Sequence, residues 1–288
     1  MVDTFYQQDT ESIFVPSVPV VHRDGEYDQQ GFETLLQIQQ EHFWYRGRYR
    51  FLLAAVQRTL GFSQDSQRRN LSAVDLGGGC GGWISYLSQK VRGVFNEVAL
   101  ADSSRKALEL AGRVVPTGTP RYQVDLLNLY WQERWDVIFL FDVLEHIPQD
   151  ELVMQEVSKA LKPGGFLFLT TPALEHFRTW YDEVAHHCRR YSRKDLRQLA
   201  SKTGLDLLEA RYFMFFLSPL LLVSRLKRPP LDTMSQSEIA ELLARTHRIP
   251  GPVINGICTA VFAAETPLGL FVPFPWGTSI LGVYHKGL

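Results

Sequence analysis

The sequence predicts an α/β fold in which helices cover both faces of a parallel sheet. Short runs of branched and aromatic residues alternate with stretches of helical spacing over residues 71–213. This alternation is typical of βαβ units, whose parallel sheets are buried on both faces. The composition agrees, because 45% of the 288 residues are hydrophobic and a chain of this length buries a large core.

Charge and cysteine content argue against several classes of protein. Lys and Arg number 30 and Asp and Glu 31, so the formal net charge of −1 gives no overall positive field for a nucleic acid. The three cysteines are widely spaced, which favours free thiols over a disulfide framework. The first residues are polar and acidic and do not resemble a signal peptide. We therefore expect a cytoplasmic protein without a nucleic-acid partner.

The chain ahead of residue 71 divides into two parts. Residues 1–30 show neither helical nor strand periodicity, so the sequence predicts an irregular N-terminal arm. From residue 31 to residue 60, apolar residues recur at three- and four-residue intervals, which is helical spacing. Gly61 and the polar run after it indicate a helix end and a loop. We therefore assign residues 31–70 to an N-terminal helical segment.

The predicted core covers residues 71–213 and holds all the predicted strands except the last. Ser192 is a suitable N-cap for a helix that ends before Gly204. The predicted strands are 72–76, 97–101, 121–124, 135–141, 166–170, 207–213 and 278–285, the last within residues 277–288, and the predicted crossover helices are 83–90, 105–113 and 151–161.

Residues 214–276 separate the last two predicted strands and contain two strongly apolar stretches. A structureless loop of this length is uncommon in a compact domain, so we interpret the segment as a helical insertion. Its first apolar run is shorter than the roughly 20 residues that cross a bilayer, and Pro219 interrupts it. We therefore do not expect that run to be a transmembrane helix.

A glycine-rich turn follows the first predicted core strand in VDLGGGCGG, residues 74–82. Glycines in such a turn let the backbone adopt positive φ and approach a ligand closely. Two classes of cofactor fit the pattern. Gly77, Gly79 and Gly82 match the dinucleotide fingerprint G-x-G-x-x-G, which indicates a nicotinamide or flavin site. Asp75 favours another ligand, because its charge would repel a pyrophosphate and could accept hydrogen bonds from an amino group.

The same turn resembles the first motif of the class I S-adenosylmethionine (SAM) dependent methyltransferases, acid-x-G-x-G-x-G, met here by Asp75, Gly77, Gly79 and Gly81. Two later segments, WDVIFLFDVLEHI and LKPGGFLFLTTP, resemble the fourth strand of that family and the turn into its fifth. The dinucleotide pattern has no counterpart to them, so SAM is favoured over NAD(P). The resemblance implies a Rossmann-like, doubly wound sheet of seven strands with an antiparallel last strand.

The resemblance also implies cofactor contacts at the ends of the following strands. Asp102 matches the carboxylate that accepts hydrogen bonds from both ribose hydroxyls, and Ser103 follows it. Asp125 matches the position that contacts the adenine amino group, with Leu126 as an apolar wall. Phe141, at the end of the fourth predicted strand, completes this set.

The segment EHFWYRGRYR, residues 41–50, resembles one found in a bacterial subgroup of these enzymes. We hypothesise that Trp44 and either Arg46 or Arg48 close over the methionine end of SAM. An arginine fork can bind its carboxylate, and an aromatic face suits the neighbouring sulfonium. An amphipathic helix with core aromatics and solvated arginines explains the same pattern.

Two histidines are candidates for acceptor activation, which an unactivated hydroxyl or a charged amine would need. His146 follows the fourth predicted strand, whose end faces the cofactor crevice. The segment WYDEVAHHCRRY, residues 180–191, contains His187 and resembles the same subgroup. On a helix, Asp182 would lie one turn from His186, and Glu183 one turn from His187. A hydrogen-bonded loop histidine and a surface helix of ion pairs are the alternative interpretations. No H-E-x-x-H or paired-cysteine spacing supports a metal, so none is predicted.

The sequence as a whole therefore predicts a SAM-dependent methyltransferase that acts on a small-molecule or lipid-linked acceptor at oxygen, nitrogen or carbon. We expect the insertion to form a lid over an acceptor with a hydrophobic part. The same apolar residues would also suit a dimer interface or a peripheral membrane contact. The alternatives are an NAD(P)-dependent oxidoreductase and a non-catalytic SAM-binding regulator.

Overall fold

Nine strands form one sheet in the part of the chain that the computed structural model describes, which comprises residues 5–20, 22, 31–62, 70–246 and 248–288. The strands are β1 (Tyr6–Gln8), β2 (Ile13–Pro16), β3 (Leu71–Leu76), β4 (Phe95–Asp102), β5 (Arg121–Gln123), β6 (Trp135–Phe141), β7 (Leu161–Pro172), β8 (Leu205–Phe213) and β9 (Ser279–Lys286). Their order across the sheet is β1-β2-β5-β4-β3-β6-β7-β9-β8.

The central strands β3 to β7 run parallel to one another, and β9 lies antiparallel between β7 and β8. The chain places β4 and β5 on one side of β3, and β6 and β7 on the other. The strand order therefore reverses at the carboxyl ends of β3 and β6, and ligands bind at such a reversal in open α/β sheets. This arrangement confirms the predicted doubly wound sheet with an antiparallel last strand.

The predicted N-terminal arm, residues 1–30, is not irregular where the structure describes it. Here β1 pairs antiparallel with β2, and β2 pairs in parallel with β5, so the sheet has nine strands instead of the predicted seven. Ile13 is fully buried, and the Tyr6 hydroxyl donates to the carbonyl of Leu129 at 2.7 Å. Strands of three and four residues are too short to show alternation in the sequence. Residues 1–4, 21 and 23–30 lie outside the described ranges.

Helices cover the sheet close to the predicted positions. As expected, Ser192 caps its helix, because its hydroxyl oxygen accepts from the backbone N–H of Asp195. The helices are α1 (Gly31–Ile38), α2 (Phe43–Leu60), α3 (Gly82–Lys90), α4 (Arg105–Ala111), α5 (Asp150–Ala160), α6 (Trp180–Val184), α7 (Arg193–Thr203), α8 (Ser218–Ser224), α9 (Gln236–Thr246) and α10 (Pro252–Phe271).

The predicted N-terminal helical segment consists of α1 and α2. The imidazole of His42 caps α2, since its Nδ1 accepts from the backbone N–H of Trp44 at 3.1 Å. Gly61 ends the same helix in the left-handed conformation, with φ 61°. Residues 63–69 of the predicted loop lie outside the described ranges.

The insertion is helical, as predicted, and consists of α8, α9 and α10. The last of these packs along α2, where a Cβ added to Gly47 would collide with the ring of Phe262. Asn255 joins the two helices because its Oδ1 accepts from the backbone N–H of Phe43 at 2.8 Å. The buried Glu265 holds the turn after β8 by accepting from the backbone N–H groups of residues 215 and 216. These contacts attach the insertion firmly to the N-terminal helical segment.

By length and composition, α10 is the one helix among the described residues that could cross a membrane. Its inner side carries Cys258, Phe262 and Leu270, which are all buried. They belong to the same apolar cluster as α2 and β8. Part of its hydrophobic character therefore serves the core of the protein.

Candidate active site

A cavity of about 440 Å³ opens at the carboxyl ends of β3, β4 and β6, where the strand order reverses. Its walls come from the core, from the N-terminal helical segment and from the insertion, which contributes Leu221 and Arg225. Most of the predicted site residues line it, namely Trp44, Arg48, Asp75, Gly77, Gly79, Asp102, Ser103, Asp125, Leu126, Phe141, His146 and His187. Gly81 and Arg46 do not line it.

The glycine turn is held against the end of β4 by its own backbone. The N–H groups of Gly77 and Gly78 both donate to the carbonyl of Ala101, at 2.7 and 3.2 Å. Gly77 has φ 66°, and a Cβ there would also collide with Val143, so the turn requires glycine. Gly81 instead is the N-cap residue of α3, with φ 74°, which gives it a structural role away from the cavity.

Asp102 connects this turn to β4. Its Oδ2 accepts from the backbone N–H of Gly79 at 2.8 Å, and its Oδ1 accepts from that of Ser104 at the same distance. The Ser103 hydroxyl lies 2.7 Å from Nδ1 of His22, so the N-terminal arm reaches this side of the cavity. The carboxylate is thereby held in one orientation at the cavity wall.

The predicted adenine side lies beyond β5. Asp125 is half-buried, and its Oδ1 accepts from the backbone N–H of Leu127 at 3.0 Å. Leu126 is buried beside it and lines the same cavity. A carboxylate and an apolar wall are thus adjacent, as the predicted adenine contacts require.

The segment before the first motif brings Arg48 to the cavity and leaves Arg46 exposed at the surface. The Arg48 guanidinium lies 4.8 Å from the Trp44 ring centroid, and its Nη2 lies 3.0 Å from Oδ2 of Asp142. Its Nε is buried without a hydrogen-bond partner in the described ranges. Arg48 therefore fits the hypothesis of a carboxylate clamp, whereas Arg46 lies on the outer side of α2 and does not.

Asp75 is buried at the base of the cavity, with 2% of its surface exposed. Burial raises the pKa of this carboxyl to about 8, although the positive charge of Arg48 opposes the shift. A cationic group bound nearby would favour the ionised form. Asp75 is thus suited to a ligand that carries an amino group.

His146 and His187 come together although they are distant in sequence. Their ring centroids are 4.9 Å apart and the rings are nearly perpendicular. His187 Nδ1 donates to Oδ1 of Asp182 at 2.9 Å, which leaves Nε2 of the neutral ring as an acceptor. Arg190 donates to both oxygens of Asp182, at 2.7 and 3.1 Å. Burial would raise the pKa of Asp182, but the hydrogen bonds from His187 and Arg190 outweigh it and hold that pKa well below its usual range.

The pairing predicted for this segment is wrong in detail. The helix α6 ends at Val184, and His186 takes a left-handed φ of 56°, so the helical one-turn spacing does not apply. Asp182 therefore binds His187 instead of His186, which is exposed. Glu183 points outward and pairs with Arg228 at 2.7 Å.

Glu145 is a cavity residue to which no role is assigned from the sequence. It lies in the short 3₁₀ turn Leu144–His146 after β6, lines the cavity and is only 1% exposed. Both of its carboxylate oxygens lack a hydrogen-bond partner in the part of the chain that is described. Burial raises the pKa of this carboxyl well above its usual value, and the charge of Asp142 adds to the shift. Its position next to His146 in LEHI was the available signal.

Comparisons with known proteins agree with this geometry. A family profile described as a methyltransferase domain matches residues 43–210, more than half of the chain. The ubiquinone biosynthesis O-methyltransferase of Proteus mirabilis is 34% identical over 98 residues, which are 32% of this chain and 39% of that protein. That of Idiomarina loihiensis is 28% identical over 149 residues, 44% of this chain and 59% of that protein. The matches thus span less than two thirds of either relative.

Solved structures share the fold. Phosphoethanolamine N-methyltransferase 2 of Haemonchus contortus in complex with SAM superposes with a TM-score of 0.59 at 18% identity, over 96% of this chain and 62% of that one. The same enzyme with phosphomonomethylethanolamine and S-adenosylhomocysteine gives a TM-score of 0.58, also at 18% identity and over the same shares of the two chains. At this identity the likeness shows the fold alone.

The fold and the cavity define a class I methyltransferase domain with SAM as its cofactor. The chain belongs to the methyltransferase-domain family whose profile it matches. The residues present fit the cofactor, because the glycine turn leaves room for a ligand and buried carboxylates lie beside it.

The buried carboxyl of Asp75 predicts a dependence of stability on pH. The folded state holds a proton on Asp75 between the ordinary pKa of 3.8 and the raised pKa of about 8, whereas the unfolded chain does not. The free energy of unfolding should therefore fall as the pH rises through this window and then level off. Between pH 5 and pH 8, the free energy of unfolding of Asp75→Asn should fall by at least about 1 kcal/mol less than that of wild type. Urea unfolding at several pH values measures this, with the exposed Asp206→Asn as the matched control. Parallel curves for wild type and Asp75→Asn would contradict the assignment.

Two adjacent acidic residues, both paired with arginine, offer a second test. Asp182→Ala leaves Arg190 buried without its partner and should lower the free energy of unfolding by roughly 3 to 5 kcal/mol. Glu183→Ala removes an exposed pair with Arg228 and should leave stability unchanged within error. Denaturant midpoints and slopes at pH 7 provide the comparison. Equal effects of the two substitutions would show that the Asp182 pair is not held as described.

Proposed function

We propose that this protein transfers a methyl group from SAM to a hydroxyl of a small molecule. The observation that carries the proposal is the placement of His146 and His187 in the same cavity as the predicted SAM residues. A hydroxyl acceptor must lose a proton during methyl transfer, so it needs a general base nearby. A neutral amine or a carbanion would not need one. The O-methyltransferase names of the matched relatives support the same acceptor atom.

The residues of this chain would hold the cofactor along the cavity. When bound, SAM supplies a methyl group that its sulfonium has already activated. Asp102 would accept hydrogen bonds from the ribose hydroxyls, and Asp125 would accept from the adenine amino group. At the other end, Arg48 would bind the carboxylate of the methionine moiety, and Asp75 would bind its amino group. These contacts fix the donor so that the acceptor oxygen can approach in line while water is excluded.

The acceptor side is rigid because a hydrogen bond to Asp182 fixes the ring of His187. Asp182 binds Nδ1 of His187, so the ring keeps one tautomer and presents Nε2 as its basic atom. Asp182 itself is held by Arg190. His187 therefore promotes loss of the hydroxyl proton from a fixed position, with His146 beside it.

We further propose that the insertion serves as a lid over an acceptor with a hydrophobic part. Leu221 and Arg225 of α8 line the cavity, and the Arg225 guanidinium lies 4.1 Å from the ring centroid of Tyr181. This contact joins the insertion to the segment that carries His187. Tyr181 and Leu221 give the acceptor end an apolar wall.

Binding of SAM tests the cofactor assignment directly. Asp102→Asn keeps the shape of the side chain but removes its charge, so the affinity for SAM should fall roughly tenfold or more, since each hydrogen bond to a charged group contributes about 1.5 to 3 kcal/mol. Isothermal titration calorimetry with SAM and with NADH measures this, with the exposed Asp206→Asn as the control. Heat with NADH and none with SAM would favour the oxidoreductase alternative.

Turnover separates the enzyme from a SAM-binding regulator. The purified protein, supplied with SAM and a set of phenols and aliphatic alcohols with apolar substituents, should release S-adenosylhomocysteine and methyl ether. SAM binding without any turnover on hydroxyl, amine or carbon acceptors would favour the regulator.

The outer side of α8 is the proposed site of a peripheral membrane contact. Leu220 and Val223 of α8 and Leu226 just after it are each more than half exposed, and the basic residues Lys227 and Arg228 follow. Apolar side chains flanked by basic ones suit the surface of an anionic bilayer better than a dimer interface.

Vesicle flotation tests this contact. The protein should float with vesicles that contain phosphatidylserine, and the double substitution Leu220→Ser and Val223→Ser should weaken binding roughly tenfold or more, because each buried side chain contributes about 1.5 to 3 kcal/mol. Leu208→Ser, the same type of change at an exposed position on β8, should have no effect. Equal flotation of all variants would contradict the proposed surface.

A further inference from the structure

We propose that Glu145, His146 and His187 bind a divalent transition-metal ion next to the methyl-donor site. One potential ligand atom from each residue lies within 4.8 Å of the others. The three residues line the same cavity and come from two separate segments of the chain. The binding of the ion does not depend on the proposed function, whereas its role in activating the acceptor hydroxyl does.

The carboxylate of Glu145 is the first sign of a missing ligand. It is 1% exposed, and neither oxygen has a hydrogen-bond partner among the residues that are described. Buried polar groups are otherwise almost always paired, because an unpaired one loses its hydration without compensation. A cation at this point would satisfy both oxygens.

The surroundings of His187 are the second sign. A histidine that binds a metal through one nitrogen usually donates the other N–H to a carboxylate, which fixes its orientation and raises its basicity. His187 makes this contact with Asp182, whose charge is held in turn by Arg190. The backbone also joins the two ligand segments, since the N–H of Cys188 donates to the carbonyl of Glu145 at 2.7 Å.

The donor set indicates the kind of ion. Two imidazoles and one carboxylate suit zinc, manganese or ferrous iron better than magnesium or calcium, which prefer oxygen ligands. Three protein ligands leave coordination positions open. An oxygen atom of the acceptor can therefore bind the ion from the cavity.

The ion would act on the acceptor hydroxyl as a Lewis acid. Coordination lowers the pKa of the hydroxyl, so its proton passes to water and the oxygen keeps the electron pair. That oxygen forms the new bond to the methyl carbon as the bond between carbon and sulfur breaks. The electron pair of the broken bond stays on sulfur, and the products are a methyl ether and a neutral thioether. With the ion bound, His146 and His187 would act as its ligands and promote proton loss through the ion, in place of accepting the proton themselves.

No metal is predicted from the sequence because the recognisable metal motifs carry their ligands at short, regular spacing. Glu145 and His146 are adjacent, and His187 follows a strand, a helix and a left-handed turn at His186. The parallel alignment of β6 and β7 brings the two segments to one edge of the sheet. Only the folded chain makes this set of ligands visible.

Metal binding can be tested without the cofactor or the acceptor. The full chain, dialysed against a chelator and then into metal-free buffer, is titrated calorimetrically with zinc chloride and, separately, with manganese chloride. One ion should bind per chain. Glu145→Gln and His187→Ala each change a proposed ligand, so each should weaken binding by at least the roughly 10- to 100-fold that loss of a ligand's hydrogen-bond partner costs. His186 is exposed and adjacent to His187, so His186→Ala is the matched control and should bind the metal ion as wild type does.

A second variant keeps the test valid if Glu145→Gln fails to fold. His146→Ala alters a half-buried side chain, and its thermal melt, with and without zinc, reports folding and binding together. Wild type should melt at a higher temperature with zinc, and His146→Ala should lose most of that shift. No saturable binding by folded wild type, or equal binding by all variants, would overturn the proposal. Because no methyl transfer is measured, this result is independent of the proposed enzymatic activity.

Discussion

The hydrogen bond between the Asp102 carboxylate and the backbone of Gly79 is the contact on which the site depends. It joins the end of β4 to the glycine turn after β3, at the point where the strand order reverses. The turn can approach a ligand only because its glycines adopt positive φ, and the carboxylate holds it there. Asp102 also lines the cavity, so one residue both holds the glycine turn and forms part of the cavity wall.

The acceptor side uses a different physical device, which is a buried network of charges. Asp182 is fully buried and is compensated by Arg190 and by His187. Such a network fixes geometry more than it adds stability, because desolvation offsets most of the attraction between the charges. Glu145 lies nearby, and neither of its carboxylate oxygens has a hydrogen-bond partner among the described residues, which distinguishes it from Asp182. The cavity thus combines carboxylates at the ends of β3, β4 and β5 with two histidines, of which His187 is held by Asp182.

The third constraint is the attachment of the insertion to the N-terminal helical segment. The packing of α10 on α2 includes Phe262 against Gly47 and the cap that Asn255 gives to Phe43. Arg48 lies on the same helix and faces the cavity. Segments from the two ends of the chain therefore close the site together, and the family match at residues 43–210 begins within this contact.

The sequence by itself determined the fold class, the seven main strands, and the glycine turn and strand-end carboxylates that line the cavity. These depend on local signals, because glycine turns, strand-end carboxylates and period-two or helical spacing are short-range properties. Tertiary structure alone decided the rest. Short strands such as β1 have no local signature and form by pairing with an existing edge. It also determined that Arg48, and not Arg46, faces the cavity, and that Asp182 binds His187 after α6 ends. The physical reason is that helix orientation and the approach of distant segments are set by packing, which the spacing of residues along a chain does not record.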